Sequence, residues 1–422
     1  MDESPRYRVF RAVFFMMQAP IGIILPFFVL HLRYTVGFSE REISYVTAVS
    51  GLTIVLFQQL WGYVGDVLIS KKRLILWNLL VSGLMFWFIG NLRSLPAIIA
   101  AVFLFNSIST PILQLLHGFL FMHQDSERWF GTLRAYGSLG FVVMNLAVGI
   151  VADRFTGGQM GFIFPLYATV SLGAAAWMAL LPEKVVPQGK RPTFFQVQKF
   201  FLGRREVAFF LVVVVFYQAA HSLSYAFQSV LMVGMGADMR LVAFSYSLAA
   251  LLELPVFFAA NRLITRFGEV RLIVFAAAVQ AVRWLLVWGA GDPTQIILIS
   301  TLHSVTFGVF YAASISYMNK HAGLHLKASA QTLFALVYFG VASMTGNLVG
   351  GQVTRGGVLE GAMTAFVTGW LHLPDRGSLG NLYILSSMVA VAACLLGLVL
   401  LRWEKRLHHG MVLGEKSPER RT

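Results

Sequence analysis

The chain has 422 residues, 57% of them apolar and only 12% charged. A soluble domain carries roughly 25% charged residues, so this composition excludes a soluble globular protein. The net charge of +14 falls mostly in short loops on one side of the apolar runs, which is a topology signal and not the footprint of a nucleic-acid partner.

The apolar runs are about 20 residues long, enough to cross a hydrocarbon core of about 30 Å as helices. In lipid the backbone must satisfy its own polar groups, so these runs are helices. The alternating ten-residue segments of a membrane barrel are absent. Twelve spans are predicted, at 8–32, 41–65, 73–91, 95–122, 132–152, 161–181, 207–231, 240–265, 270–290, 294–318, 328–354 and 379–402. We number them helices 1 to 12. The basic start, Met1 to Arg11, has no small-residue cleavage site before Gln18 and Pro20, so helix 1 is expected to be retained.

The loop after helix 2 reads Gly62-x-x-x-Asp66, then Lys71-Lys72-Arg73. Helix 4 carries Gln114 and His117, spaced i, i+3 on one face, and helix 7 carries His221 and Tyr225 at i, i+4. Helix 5 carries Arg134 near one end, then Phe141, with Gly137 and Gly140 between them. The connection 182–206 is rich in Lys, Arg, Pro and Gln, and its stretch Thr193 to Phe201 suits a short helix on the membrane surface. Helix 8 carries Glu253, helix 9 Arg283 and helix 10 His303. Gly361 to Leu373 is too short to cross and is expected to be a re-entrant or surface segment. Disorder is expected beyond about Gly410. The one cysteine, Cys394, falls inside helix 12 and has no partner for an intrachain disulfide.

The halves repeat. Gly62 to Asp66 matches Asn261 to Thr265, and Val148 to Arg154 at the end of helix 5 matches Val349 to Arg355 at the end of helix 11. Two similar offsets near half the chain length point to a duplicated six-helix unit. The expected fold is all-α and integral to the membrane: twelve transmembrane helices in two pseudo-symmetric six-helix bundles. The bundles are 1–181 and 207–402, joined by a cytoplasmic linker, 182–206, and followed by a basic cytoplasmic tail, 403–422. With the N-terminus inside, 25 Lys and Arg residues lie on the inner side against seven outside, which predicts two cytoplasmic termini in a plasma membrane of the bacterial inner-membrane type.

The Gly62–Asp66–Lys71–Lys72–Arg73 loop resembles the signature of the major facilitator superfamily, with Ile69 where that signature has glycine. The resemblance implies the major facilitator fold and a conformational latch at this loop, in which the Asp66 carboxylate faces the basic cluster. A narrower likeness is to the lactose permease, phenylpropionate permease and nucleoside/proton symporter group. It rests on Phe130-Gly131-Thr132-Leu133-Arg134 through Phe141, on Glu253-Leu254-Pro255 through Arg262, and on the settings of Arg283 and His303. Thr306-Phe307-Gly308 through Tyr311, Ala328 through Gln331, and His221 through Tyr225 look closer to the phenylpropionate permease-like branch. One turn after His303 lies Thr306, where lactose permease-like symporters have a carboxylate.

Charges at mid-bilayer cost roughly 2.5–3.5 kcal/mol on the insertion scale, so they need a reason. By helix rise, Glu253, Arg283 and His303 all fall in the middle band and are predicted to converge. Arg283 would compensate Glu253, with His303 hydrogen-bonded to one of them. That trio suits proton coupling; it suits equally a static ion pair that fixes helix packing. Arg134 suits a substrate hydroxyl or carboxylate, or a phosphate of the inner leaflet. Phe141 stands where sugar transporters of the group stack an aromatic on substrate. With Gln114, His117, His221 and Tyr225, these are the candidate substrate contacts.

The function expected is secondary active transport: a proton-coupled symporter importing an aromatic carboxylate, sugar or nucleoside by alternating access. The alternatives are a proton-independent facilitator or an exporter of the same fold and, more remotely, an intramembrane enzyme or receptor. Paired Asp-rich motifs, a metal cluster and an activated nucleophile are absent from the sequence, so no enzyme is expected. No cofactor or metal is expected, the proton gradient being the energy source. The expected partners are a small solute and the lipid bilayer, with the protein acting as a monomer.

Overall fold

The computed structural model describes residues 5–123, 126–183, 194–322 and 326–414. Among them every regular element is helical. Among the described residues eleven helices are long and apolar enough to cross a membrane: helix 1 (Tyr7–Val36), helix 2 (Glu40–Tyr63), helix 3 (Lys71–Ile89), helix 4 (Leu95–Leu120), helix 5 (Trp129–Phe155), helix 7 (Arg205–Gly234), helix 8 (Met239–Phe267), helix 9 (Glu269–Gly289), helix 10 (Pro293–Ala322), helix 11 (Ser329–Val353) and helix 12 (Gly377–Arg406). The shorter apolar Ile163–Ala179 is helix 6, which brings the total to about twelve.

Side chains start the helices where the chain leaves the loops. Ser39 and Glu42 form a capping box at helix 2. Asp238 caps helix 8, and Asp292 accepts from two backbone N–H groups at helix 10. Several spans are interrupted. Helix 1 turns at Leu25-Pro26 and helix 4 at Thr110-Pro111, where proline cannot donate to the preceding turn. Helix 7 breaks at Ala226-Phe227. Helix 10 breaks at Thr301–His303 and then winds as a π-helix over Ser304–Val309, and helix 11 does so over Leu336–Ala342. Helices 5 and 8 run unbroken, the latter through Pro255.

Two boundaries differ from expectation. Helix 5 begins at Ser126, and helix 12 continues to Gly414, so residues 403–414 extend the last helix and do not start a separate tail. The segment Gly361 to Leu373 holds a short helix, Glu360–Ala365, and a π turn, Phe366–Trp370, anchored by buried Met363 and Val367. A helix at Phe194–Leu202 matches the expected surface segment. Residues 184–193 of the linker and 415–422 of the tail lie outside the described residues.

Two helix pairs hold the N- and C-terminal halves together, helix 5 against helix 8 and helix 2 against helix 11. The backbones approach closely. A Cβ on Gly51 would lie 2.6 Å from the Gly340 carbonyl oxygen, and one on Gly149 would lie 2.7 Å from that of Met239. Small residues make such contacts possible. The hydrogen bonds between the halves cluster toward the face opposite the N-terminus. Asn145 donates to the Ala243 carbonyl at 2.7 Å and to Ser247 at 2.9 Å. Asp153 accepts from the backbone N–H of Met239 at 2.9 Å, from that of Arg240 at 3.0 Å, and from the Arg240 side chain at 2.9 Å. On the other pair, Arg41 donates to the Gly356 carbonyl at 3.0 Å and Gln352 to Tyr45 at 3.3 Å. Among the described residues no hydrogen bond crosses between the halves nearer the N-terminal face. These bonds close the halves against each other on that face.

Candidate functional site

Helices 7 to 11 surround a polar chain deep in the C-terminal half. Glu253 Oε1 lies 3.3 Å from His303 Nε2. His303 Nδ1 lies 2.9 Å from a terminal nitrogen of Arg283, which also donates to Thr306 Oγ1 at 3.1 Å. The three charged and ionisable groups thus converge, but His303 stands between Glu253 and Arg283, where direct compensation was expected. A guanidinium can only donate, so Nδ1 must accept and carries no proton. The proton sits on Nε2 and is donated to Glu253. His303 is therefore neutral here, and protonating Nδ1 would break its bond to Arg283.

Burial is uneven along this chain. The Arg283 residue is fully buried, the His303 side chain is 8% exposed, and that of Glu253 is 17% exposed. Glu253 is the least buried of the three. At the other end Arg283 lies over the Trp284 ring at 4.5 Å and the Tyr225 ring at 5.8 Å, a favourable place for a desolvated cation. Its Nε and second terminal nitrogen have no hydrogen-bond partner. The π turn of helix 10 opens the backbone here. Tyr217 fills the opening by donating to the Thr306 carbonyl, and Gln280 holds the Tyr217 carbonyl at 2.8 Å.

Rings extend the site. Tyr225 is parallel to His303 to within 8° at 5.3 Å, and His221 stacks on both Tyr225 (4.4 Å) and His303 (5.4 Å). Phe307 continues the stack at 5.5 Å and Tyr311 follows at 5.4 Å. Phe257, one turn beyond Glu253, meets Phe307 edge-on. Arg134 reaches across from helix 5 and lies 4.9 Å over the Phe257 ring.

The remaining predicted residues lie outside the Glu253–His303–Arg283 chain, in the N-terminal half. His117 stacks on Phe14 at 5.8 Å and meets Phe130 edge-on at 5.2 Å, within the N-terminal half. Gln114 is exposed on the same helix. Phe141 packs into the apolar core against helix 1, and the ring under Arg134 is Phe257 instead. At the loop after helix 2, Gly62 is exposed and the side chain of Asp66 lies outside the described residues. Lys71 is buried. Lys72 donates to the Ala179 and Leu181 carbonyls at 2.7 and 2.5 Å, and Arg73 pairs with Glu183 at 3.2 Å. The basic cluster thus ties helix 3 to the end of helix 6 within its own half. The Ser70 hydroxyl and the adjacent Arg73 hold the Glu183 carboxyl below its usual range. No group of three or more potential metal ligands occurs among the described residues.

The sequence matches the profile of the MFS_1 like family over residues 7–367. The chain belongs to that family. It is therefore a multi-pass membrane transporter of the major facilitator type, and its relatives' names are those of transporters, not enzymes. It is 24% identical to the maltose permease of Geobacillus stearothermophilus over 95% of this chain and 96% of that protein. It is 23% identical to the probable 3-phenylpropionic acid transporter of Escherichia coli K12, covering 77% and 85%. Its fold matches the solved nucleoside transporter NupG with a TM-score of 0.78 at 14% identity, over 94% of this chain and 99% of that one.

Sequence reasoning missed Tyr217, Thr306 as a partner of Arg283, and the Phe257–Phe307–Tyr311 rings. A tyrosine hydroxyl inside an apolar span must find an acceptor, and that was the available signal for Tyr217.

Proposed function

We propose that this transporter is a proton-coupled symporter that imports a small organic solute by alternating access, with the Glu253–His303–Arg283 chain as its coupling site. The observation that carries the reading is the carboxylate itself: the least buried group of the chain, and hydrogen-bonded to a histidine that is locked neutral by a buried arginine. With Glu253 ionised, the Nε2–H of His303 bonds to a charged acceptor, and such bonds are roughly twice as strong as neutral ones. Protonation of Glu253 weakens that bond, loosens helix 8 from helix 10 and leaves Arg283 without its opposing charge. Proton occupancy is thus tied to the packing of the helices that must move.

In this reading residues 1–181 and 207–402 are the rocking bundles, and both termini face the cytoplasm in the plasma membrane. The shut face is then the outer one, and the site communicates with the inside. The Lys71–Arg73 cluster acts with Asp66 as a latch in the opposite state. Arg134 contacts the solute, with Tyr225 and His221 lining the same side. The protein works as a monomer without a cofactor. The relatives named for maltose, 3-phenylpropionic acid and nucleosides span the solute classes that an amphipathic site of this kind can hold. A second reading, facilitated diffusion without protons, draws on Thr306, which offers Arg283 a hydroxyl instead of a second carboxylate.

The test is Glu253→Gln in proteoliposomes with a solute from those classes. Uphill uptake driven by a pH gradient is lost, while exchange of solute down its own gradient persists. Unaltered pH-driven accumulation would reject the coupling role.

A further inference from the structure

We infer that Arg283 holds a small monovalent anion, of the size of chloride, on the edge of its guanidinium that His303 does not use. The binding itself does not depend on the transport reading above; only its link to Glu253 does. Helix 9 is unusually rich in unmet donors. Four buried side-chain N–H sites on it have no hydrogen-bond partner: Arg283 Nε, Arg283 Nη2, Trp284 Nε1 and Trp288 Nε1. Against them stands a single buried acceptor without a partner on the same helix, Gln280 Oε1. Positions 280, 284 and 288 succeed one another at i, i+4, with Arg283 beside them, so these groups share one stripe of the helix.

Arg283 Nη1 is spent on His303 and Thr306. Nε and Nη2 form the side-on fork of the planar guanidinium, two parallel donors that take one acceptor between them. No protein group meets that fork. Tyr225 lies under the guanidinium, and the rings of Tyr246 and Tyr383 lie against Tyr225 and Trp284. Tyr246 donates to the Tyr225 carbonyl at 3.4 Å, Tyr383 to that of Ser224 at 3.3 Å, and Tyr217 to that of Thr306. None of these phenols accepts from Arg283, and Arg283 makes no salt bridge, among the described residues. Glu253 reaches it only through neutral His303. A fully buried cation with unmet donors is costly.

A group that relieves this cost must accept without donating. A water would accept from the fork but bring two hydrogens of its own to a stripe with one open acceptor. A halide brings acceptor capacity alone, and its charge opposes that of the guanidinium. The same charge links the anion to the coupling residue. Ionised Glu253 repels an anion at Arg283; a neutral side chain at position 253 leaves that anion as the counter-ion of Arg283. Chloride binding and loss of the Glu253 charge therefore favour each other. In the symport reading, chloride steadies Arg283 whenever Glu253 is uncharged.

The purified protein in sodium gluconate is titrated with sodium chloride at constant ionic strength, and its thermal midpoint is followed. A saturable rise is expected, which sodium bromide reproduces and sodium sulfate does not. Crystals grown in bromide should show an anomalous peak at the Nε–Nη2 edge of Arg283. Glu253→Gln should bind chloride about tenfold more tightly. Arg283→Lys keeps the charge without the side-on fork and should lose the saturable rise. A midpoint that does not distinguish chloride from gluconate means that water serves the fork, and overturns the inference. Bromide found only at the protein surface, or a saturable rise that survives Arg283→Lys, would overturn it as well. A chloride affinity unchanged in Glu253→Gln would overturn the link between the two residues. The wild-type measurements need no variant to fold. No solute and no pH gradient enters them, so their failure and the failure of the symport reading are told apart.

Discussion

Asp153 is the point at which one half of the chain caps a helix of the other, and removing it should unlatch the shut face. Asp153→Ala deletes the acceptor for two backbone N–H groups at the start of helix 8 and for the Arg240 side chain. Arg240 is half exposed, so its attraction is screened by water and contributes little. What counts is the loss of a helix-capping carboxylate, typically 0.5–2 kcal/mol. Helix 8 keeps its own cap from Asp238. A loss of about 1.4 kcal/mol falls on the shut state alone, since the open state lacks these bonds, and it shifts the equilibrium about tenfold toward opening. The readout is alkylation of a cysteine placed at Ser247, which is 1% exposed in the joint between helices 5 and 8. In a Cys394→Ser background, a membrane-impermeant maleimide should label Ser247→Cys about tenfold faster once Asp153 is alanine. Asp153→Asn keeps one acceptor oxygen and should fall between. An unchanged labelling rate, with the protein folded and inserted, would refute the assignment of Asp153 as an inter-half cap.

Two further outcomes follow from the packing. Tyr217→Phe leaves the Thr306 carbonyl buried without its donor, which should destabilise the protein by about 1–3 kcal/mol; a thermal midpoint equal to that of the wild type would show that the π turn needs no such support. Gly149→Val places a branched side chain where a single Cβ already meets the Met239 carbonyl at 2.7 Å and Ala243 at 2.6 Å. It should hold the halves apart, preserve solute binding and abolish counterflow; normal counterflow would mean that the joint need not close.

The twelve spans were legible because lipid forces long apolar runs into helices, and only helix 6 fell short of full length. The meeting of Glu253, Arg283 and His303 was legible from depth alone, since three costly groups at one level on successive helices have reason to find each other. Their order was not. Placing His303 in the middle depends on the break at Thr301–His303 and the π turn after it, which no local residue pattern announces. Phe141 shows the opposite failure: its spacing from Arg134 suggested a solute contact, but the rotation of helix 5 turns the ring into the core against helix 1. Asp153 was visible only as a mark of internal repetition. Its repeat counterpart, Thr354, hydrogen-bonds within its own chain end, to the Gly351 carbonyl, so the duplication gave no hint that Asp153 reaches across.

The unbroken course of helix 5 has a mechanical consequence. Arg134 and Asp153 stand 19 residues apart on one continuous rod, about 28 Å by helical rise. Helices 1, 4, 7, 10 and 11 have joints that can absorb bending, whereas this rod has none. A tilt that frees its far tip swings its near tip as well, so a lever arm couples whatever holds Arg134 to the strength of the seal on the other side.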